Sequence, residues 1–304
     1  MYYFCGMYHC SVLLKESVDL LSIDPNGTYV DVTFGGGGHS REILSRLSSR
    51  GRLIAFDQDA DAMANAPCDK RFTLIHNNFK YLHSCLRAAG CPSVDGILAD
   101  LGVSSHHFDT PERGFSFRFE GQKLDMRMNQ SAERSAENVV NESTIENLAQ
   151  IFGRYGELDN PFRIAKAIQA ARPIADIDAL LAAVGGVAPR AAQAKFHAKL
   201  FQALRVEVNG EMQALEMMLR GALASLKDGG VLSVIAYHSL EDRMVKNFMR
   251  AGNFEGTPSS DLYGRSLAPF TLITRRAVEP SAEERENNPR ARSAKLRAAR
   301  KNDQ

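Results

Sequence analysis

A chain of 304 residues is long enough for one large domain or two smaller ones around a well-buried core. Its 44% hydrophobic and 24% charged content excludes a disordered or fibrous protein and fits a folded globular one. A formal charge of +1 makes no demand for a nucleic-acid partner, so any such partner must be met by local clusters, which gather near the C-terminus.

The opening MYYFCGMYHC is apolar but has no basic leader, no continuous apolar stretch and no small-residue cleavage site. Met7 stands as an alternative start, leaving 1–6 as an extension. No stretch approaches a membrane span, so no membrane association is expected. Cys5, Cys10, Cys68, Cys85 and Cys91 are odd in number, form no C-x-x-C pair and lack zinc spacing. They predict reduced thiols in a cytoplasmic protein and no metal site.

From Ser11, SVLLKESVDLL has helical spacing, and Pro25–Gly27 reads as a turn. Thr28–Phe34 (TYVDVTF) reads as a strand, followed by four glycines and a helix in REILSRL. Further strands are expected at Arg52–Asp57, 72–76 and 94–100. Strands and helices at these intervals predict βαβ units and a parallel sheet. From about 106 to 200 no buried strand is expected. That stretch holds the loop RGFSFRFEGQKLDMRMN and then helices. One opens with a capping box at Ser143–Glu146 and carries Ile145, Leu148 and Phe152 on one face. Another opens at Asn160-Pro161 and stops at Pro173. Phe201, Leu204, Val208, Met212, Leu215 and Leu219 recur at helical spacing. Gly210 in their midst costs about 1 kcal/mol against alanine and marks a kink or close contact. Lys227–Gly230 reads as a turn, 231–237 as a strand, HSLEDRMVKNFMR as a helix and 267–278 as a late strand. The sheet therefore resumes after the helices, which predicts one α/β domain with a helical insertion and no internal repeat.

The glycine run in DVTFGGGGHS (31–40) is costly in chain entropy, so a close approach to its backbone is expected. A phosphate-cradling P-loop would need a lysine after its second glycine, and none is present. Gly35 and Gly37 fit a dinucleotide fingerprint whose third position is Ser40. S-adenosylmethionine, with no diphosphate, is the third ligand: a helix N-terminus can receive its carboxylate. Asp57, 20 residues after Gly37, stands where a ribose acceptor belongs, although it or Asp59 equally suits a helix cap. Asp100 closes the fourth strand and is expected at the crevice edge, with turn formation as its plain alternative. Ser104 and Ser105 equally suit a local turn.

The segments VDVTFGGGGHS, GILADLGVSS, RGFSFR, LDMRMN, YGEL, FQALRVEVN, HSLEDRMVK and NPRARSAKLR together resemble the RsmH/MraW family, in order from about His9 to Arg300. The resemblance implies a class I S-adenosylmethionine methyltransferase fold with an inserted all-helical substrate-recognition domain. Its boundaries would be 9–108 and 205–304 for the methyltransferase part and 109–204 for the insertion. It also implies transfer of a methyl group from S-adenosylmethionine to N4 of a cytidine in the decoding centre of 16S ribosomal RNA. The partner is then the small ribosomal subunit, and a homodimer is compatible with the family. Carried over by position, Gly37, Gly38, His39, Asp57, Phe79, Asp100 and His107 contact the cofactor. His106-His107 here replaces the family's usual proline-glutamine pair, and AYHSLEDR departs from the usual serine-phenylalanine before the histidine.

Asp100 is the expected acceptor for the reacting amine, assisted by Ser104 or Ser105. His238 and Ser239 are expected in a second rank for base positioning, against the plain alternative of a capping box at Ser239–Asp242. Arg113, Phe115, Phe117, Arg118 and Arg127 are expected to line the entrance for an unstacked base. Between Pro289 and Gln304, Arg290, Arg292, Lys295, Arg297, Arg300 and Lys301 face one acid, Asp303, a net of +5 that suits RNA phosphates. The rival readings are an NAD-dependent oxidoreductase on the same sheet and a catalytically idle RNA-binding protein.

Overall fold

The computed structural model describes residues 11–264 and 266–303, with Ser105 and His106 described by backbone alone. Cys5, Cys10 and the start at Met7 lie outside the described residues, while Cys68, Cys85 and Cys91 are free thiols. Two compact units form, one from residues up to Gly102 together with Gln213–Gln304, the other from Val103–Met212.

The first unit begins with α1 (Leu14–Leu20), β1 (Thr28–Asp31), α2 (Gly38–Arg46), β2 (Arg52–Asp57), β3 (Phe72–His76), α3 (Leu82–Ala88) and β4 (Val94–Asp100). The helical unit holds α4 (Ser105–Asp109), α5 (Ala136–Glu142), α6 (Ile145–Gly156), α7 (Pro161–Ala170), α8 (Ile177–Gly185) and α9 (Gln193–Asn209). The chain returns through α10 (Glu211–Ser225) to β5 (Leu226–Ala236), α11 (Ser239–Ala251), β6 (Phe270–Leu272), α12 (Ala282–Asn287) and β7 (Lys295–Lys301). Among the described residues no helix is long and apolar enough to cross a membrane.

The sheet has the order β3-β2-β1-β4-β5-β7-β6. It is parallel from β3 to β5, and β7 runs antiparallel to both of its neighbours. The α/β class expected from the strand and helix rhythm holds. On one face α1 and α2 bring Val18, Leu21, Ile43, Leu44 and Leu47 against Leu53, Leu98 and Val231. Each such side chain contributes about 2 kcal/mol by leaving water.

β2, β3 and β4 coincide with the expected runs. β1 is shorter because Asp31 Oδ1 draws the Thr33 N–H into a turn at 3.1 Å. β5 is longer: its partner shifts register between Val94 and Gly96, so the expected turn at Lys227–Gly230 is an irregularity inside the strand, with Gly229 at φ 77°. The late strand contracts to Phe270–Leu272 because Ile273 and Thr274 both donate to the Ala298 carbonyl.

The basic stretch at the C-terminus is no tail. Residues 295–301 form β7, an interior strand that buries Leu296, Ala298 and Ala299.

In the helical unit no strand forms, as expected. Thr144, not Ser143, caps α6 by accepting from Asn147 N–H; Ser143 closes α5. Asn160 precedes α7 in the left-handed region at φ 54° without a side-chain cap, and Pro161 fills the first helical position. Gly210, at φ 58°, ends α9, so the long apolar spacing belongs to two helices. The unit also extends beyond 109–204. Asn209 bonds to the backbone of Met126 and Met128, and His107 packs on Phe115.

Candidate active site

Strand order reverses between β1 and β4, and in open sheets of this kind ligands bind outside the carboxyl ends at such a switch point. Two aspartates end these strands. Asp31 is fully buried, accepting from Ser40 Oγ at 2.6 Å on one oxygen and from Thr33 N–H at 3.1 Å on the other. Burial pushes its pKa up, against the pull of His39 and these hydrogen bonds. Asp100 Oδ1 accepts from the Tyr237 hydroxyl at 2.6 Å, and its own N–H donates to Thr33 Oγ1 at 2.6 Å. Its Oδ2 lies 3.8 Å from His39 Nδ1. Burial lifts the Asp100 carboxyl to about 6; His39 and the Tyr237 hydroxyl pull it down, and Asp31 and Glu241 push it up.

His39 is buried on the first turn of α2, with Nε2 at 3.2 Å from the Val12 carbonyl. A carbonyl only accepts, so Nε2 carries a hydrogen, and Nδ1 is turned toward Asp100, whose anion the ring favours when Nδ1 carries a second hydrogen. The ring is therefore part of the Asp100 surroundings, and His39 offers a ligand its backbone N–H.

The glycine loop is held from below by Asp57, which accepts from Gly35 N–H at 2.7 Å and from Asp59 N–H at 2.9 Å. Asp59, not Asp57, caps the next helical turn. Gly37 sits at φ 75°, and a Cβ there would press on the Phe34 ring at 2.9 Å. A Cβ on Gly38 would overlap Ser11 Oγ, whereas one on Gly36 would meet nothing within 4 Å. The crowding that requires glycine at 37 and 38 thus comes from the chain itself, and Gly36 leaves the open approach. Helix geometry leaves the first N–H groups of α2 without intrahelical acceptors. Phe79, half-buried, opens the short turn Phe79–Tyr81, which Asn78 caps.

The profile of the MraW methylase family matches residues 6–302. The chain belongs to this family. It is 56% identical over 297 residues to the ribosomal RNA small subunit methyltransferase H of Bacteroides fragilis, covering 97% of each chain. The protein of the same name from Parabacteroides distasonis is 53% identical over 298 residues, covering 97% of each. A solved structure titled as a putative rRNA methylase from Clostridium thermocellum is 14% identical with a TM-score of 0.43, covering 97% of this chain and 100% of that one. As a MraW methylase, the chain is a methyltransferase on a class I fold, with the seven-stranded sheet described above.

Against the MraW expectations, the site residues divide. Asp100, Asp57, Gly37, Gly38 and His39 gather around β1, β2, β4 and the start of α2. His238 does not face the crevice as a free group. It caps α11, its Nδ1 accepting from Glu241 N–H at 3.4 Å while Nε2 lies 3.2 Å from Glu241 Oε1. The capping box is thus His238–Glu241 rather than Ser239–Asp242, and Ser239 is the exposed first residue of the helix. Ser104 and His107 belong to the helical unit and bond to each other at 2.9 Å, and Ser105 opens α4.

Several expected RNA contacts have structural work instead. Arg113 is buried and donates to the Arg127 and Met128 carbonyls at 3.2 and 2.9 Å. Phe115 is buried on the His107 ring at 4.9 Å, and Phe117 packs edge-on against Phe201 at 5.3 Å. Arg127 is paired with Asp125 at 2.7 Å, and Arg297 with Asp242 at 2.6 Å. Lys295 lies half-exposed, 3.8 Å from Asp242, and Arg290 is half-buried. Arg118 and Arg292 are exposed.

Two residues of the site escaped the sequence reading. Asp31 interrupts the apolar run TYVDVTF, and a carboxylate inside a buried strand must have partners. Tyr237 follows Ile235 by two, the strand period, and so stays on the Ile235 side as the chain leaves β5 beside Asp100.

Proposed function

We propose that this chain methylates N4 of a cytidine in the decoding centre of 16S ribosomal RNA, with Asp100 receiving the reacting amine. The observation that carries the reading is the Asp100 carboxylate at the crevice end of β4. Tyr237 occupies one of its oxygens, and the other accepts no hydrogen bond from the described residues. Small-subunit rRNA as substrate is supported by the names of the relatives; N4 and the decoding centre rest on the family resemblance of the motifs.

S-adenosylmethionine, when bound, supplies an electrophilic methyl carbon. The residues suit it. The open N–H groups at the start of α2 match a carboxylate, and Gly36 admits a close approach. Asp57, at the crevice end of β2, stands where a ribose hydroxyl would need an acceptor, and Phe79 would offer a flat apolar face to adenine.

Cytosine N4 is a poor nucleophile because its lone pair is delocalised into the ring. An anionic acceptor for one N4–H localises that pair and orients it, and Oδ2 of Asp100 is that acceptor. The proton released on methylation passes to the same carboxylate. The target base must leave its stack to reach a carboxylate at the crevice, and Arg118 and Arg292, each exposed on its own unit, are each suited to RNA phosphate. Work on ribosomal RNA in the cytoplasm agrees with the free thiols at Cys68, Cys85 and Cys91.

Mass mapping of 16S rRNA from cells with and without this protein tests the reading. Loss of N4-methylation from a decoding-centre cytidine is expected, and an unchanged methylation map would overturn it.

A further inference from the structure

We propose that Tyr237 is a positioning residue for methyl transfer, its hydroxyl fixing the Asp100 carboxylate in one orientation and in its anionic form. The inference rests on Asp100 being the acceptor of the substrate amine.

Tyr237 is itself held at three points. Its hydroxyl donates to Asp100 Oδ1 at 2.6 Å. Its backbone N–H donates to Glu241 Oε2 at 2.9 Å, and Glu241 is buried. Its ring lies against Gly102, where at φ 91° a Cβ would stand 3.4 Å from Tyr237 Cδ2.

An ionised carboxylate only accepts, so a neutral phenol beside it stabilises the anion over the acid. Burial and the neighbouring Asp100, Glu241 and Glu284 push the ionisation of Tyr237 well above its ordinary value, so it remains a donor across the working pH range. The groups facing Asp100 are His39 on α2, Asp31 at the end of β1, and Tyr237 and Glu241 beyond β5. Asp31 and Glu241 disfavour the anion; His39 and Tyr237 favour it. Of the two favourable groups, Tyr237 alone makes a hydrogen bond to the carboxylate, and in doing so leaves Oδ2 for the substrate.

The test is Tyr237→Phe in the full chain, which deletes one oxygen and keeps the ring. Carbon-13 NMR of labelled aspartate, without cofactor or RNA, follows the Asp100 carboxyl, assigned by its absence in Asp100→Asn. The titration midpoint is expected to rise by about one pH unit in Tyr237→Phe, since one unit is what a charge-assisted hydrogen bond of ordinary strength supplies. The acid limb of single-turnover transfer should rise equally, for a roughly tenfold loss on that limb and a much smaller one at alkaline pH. Replacing Tyr237 by 3-fluorotyrosine, a stronger donor that keeps the ring, should move the midpoint down. An unmoved midpoint or an unmoved limb overturns the inference. Should Asp100→Asn transfer methyl at a normal rate, the reading of Asp100 falls; should it be inactive while Tyr237→Phe changes nothing, only the role of Tyr237 falls.

Discussion

The crevice end of β1 and β4 and the C-terminal stretch 289–304 both concentrate ionisable residues, and the fold treats them in opposite ways. At the switch point Asp31 is fully buried and Asp100 is partly so, and loss of hydration shifts both pKa values upward. In the C-terminal stretch four of the six cations sit on a strand that also carries Leu296, Ala298 and Ala299 into the core. Arg297 neutralises Asp242, Arg300 donates to the Gly229 carbonyl, and Lys301 donates to the Leu226 carbonyl. A cluster of charge in sequence therefore says little until its burial is known. Two carboxylates shielded from water at a crevice are costly and point to function, whereas four cations on an interior strand and two on the turn before it agree with plain construction.

The largest effect should come from removing residues 289–304. If β7 is structural, the truncated chain loses the strand between β5 and β6 and fails to unfold cooperatively on heating. A truncated protein with an intact melt would restore the reading as a tail. Next, Arg297→Ala removes the two hydrogen bonds to the half-buried Asp242 carboxylate, leaving Lys295 3.8 Å away, and should cost about 1–3 kcal/mol in denaturant unfolding. Gly38→Ala, which forces a Cβ onto Ser11 Oγ, should cost about 1–3 kcal/mol, and Ser11→Gly should recover most of it. The smallest effect belongs to exposed cations. Arg118→Ala or Arg292→Ala should leave stability within about 0.5 kcal/mol. Each should lower the salt slope of RNA binding by about 1.

Much of the first unit was legible. The runs at 52–57, 72–76 and 94–100 are apolar, of strand length and bounded by turns, so tertiary context had nothing to override. Asp57 and Asp100 could be placed because strand ends and crevice ends coincide in parallel sheets. The differences have separate causes. Lys295-Leu296-Arg297-Ala298 has a strand period of two, but its charge density drew attention away from the alternation. Arg113 and Arg127 sit beside aromatic residues as RNA-binding arginines do, yet a helical unit with long loops uses arginine to satisfy loop carbonyls. Tyr237 was hidden because its meaning depends on β5 lying beside β4, a pairing between segments more than a hundred residues apart.

The raised pKa of Asp100 also has a consequence for stability. A carboxyl whose folded pKa is raised contributes stability below its ordinary value and loses it as pH rises through about 6. Asp100→Asn should therefore melt above the wild type at pH 8, with the gap narrowing toward pH 5.

The most direct measurement is single-turnover methyl transfer to small-subunit rRNA by wild type and Asp100→Asn from pH 5 to pH 9, with cofactor binding measured alongside. The working form is the carboxylate, so the wild-type rate should fall as pH drops through about 6. Asp100→Asn should bind cofactor normally, transfer about 10²–10⁴-fold more slowly and lose that acid limb. An asparagine variant that transfers near the wild-type rate with the same acid limb would contradict the account.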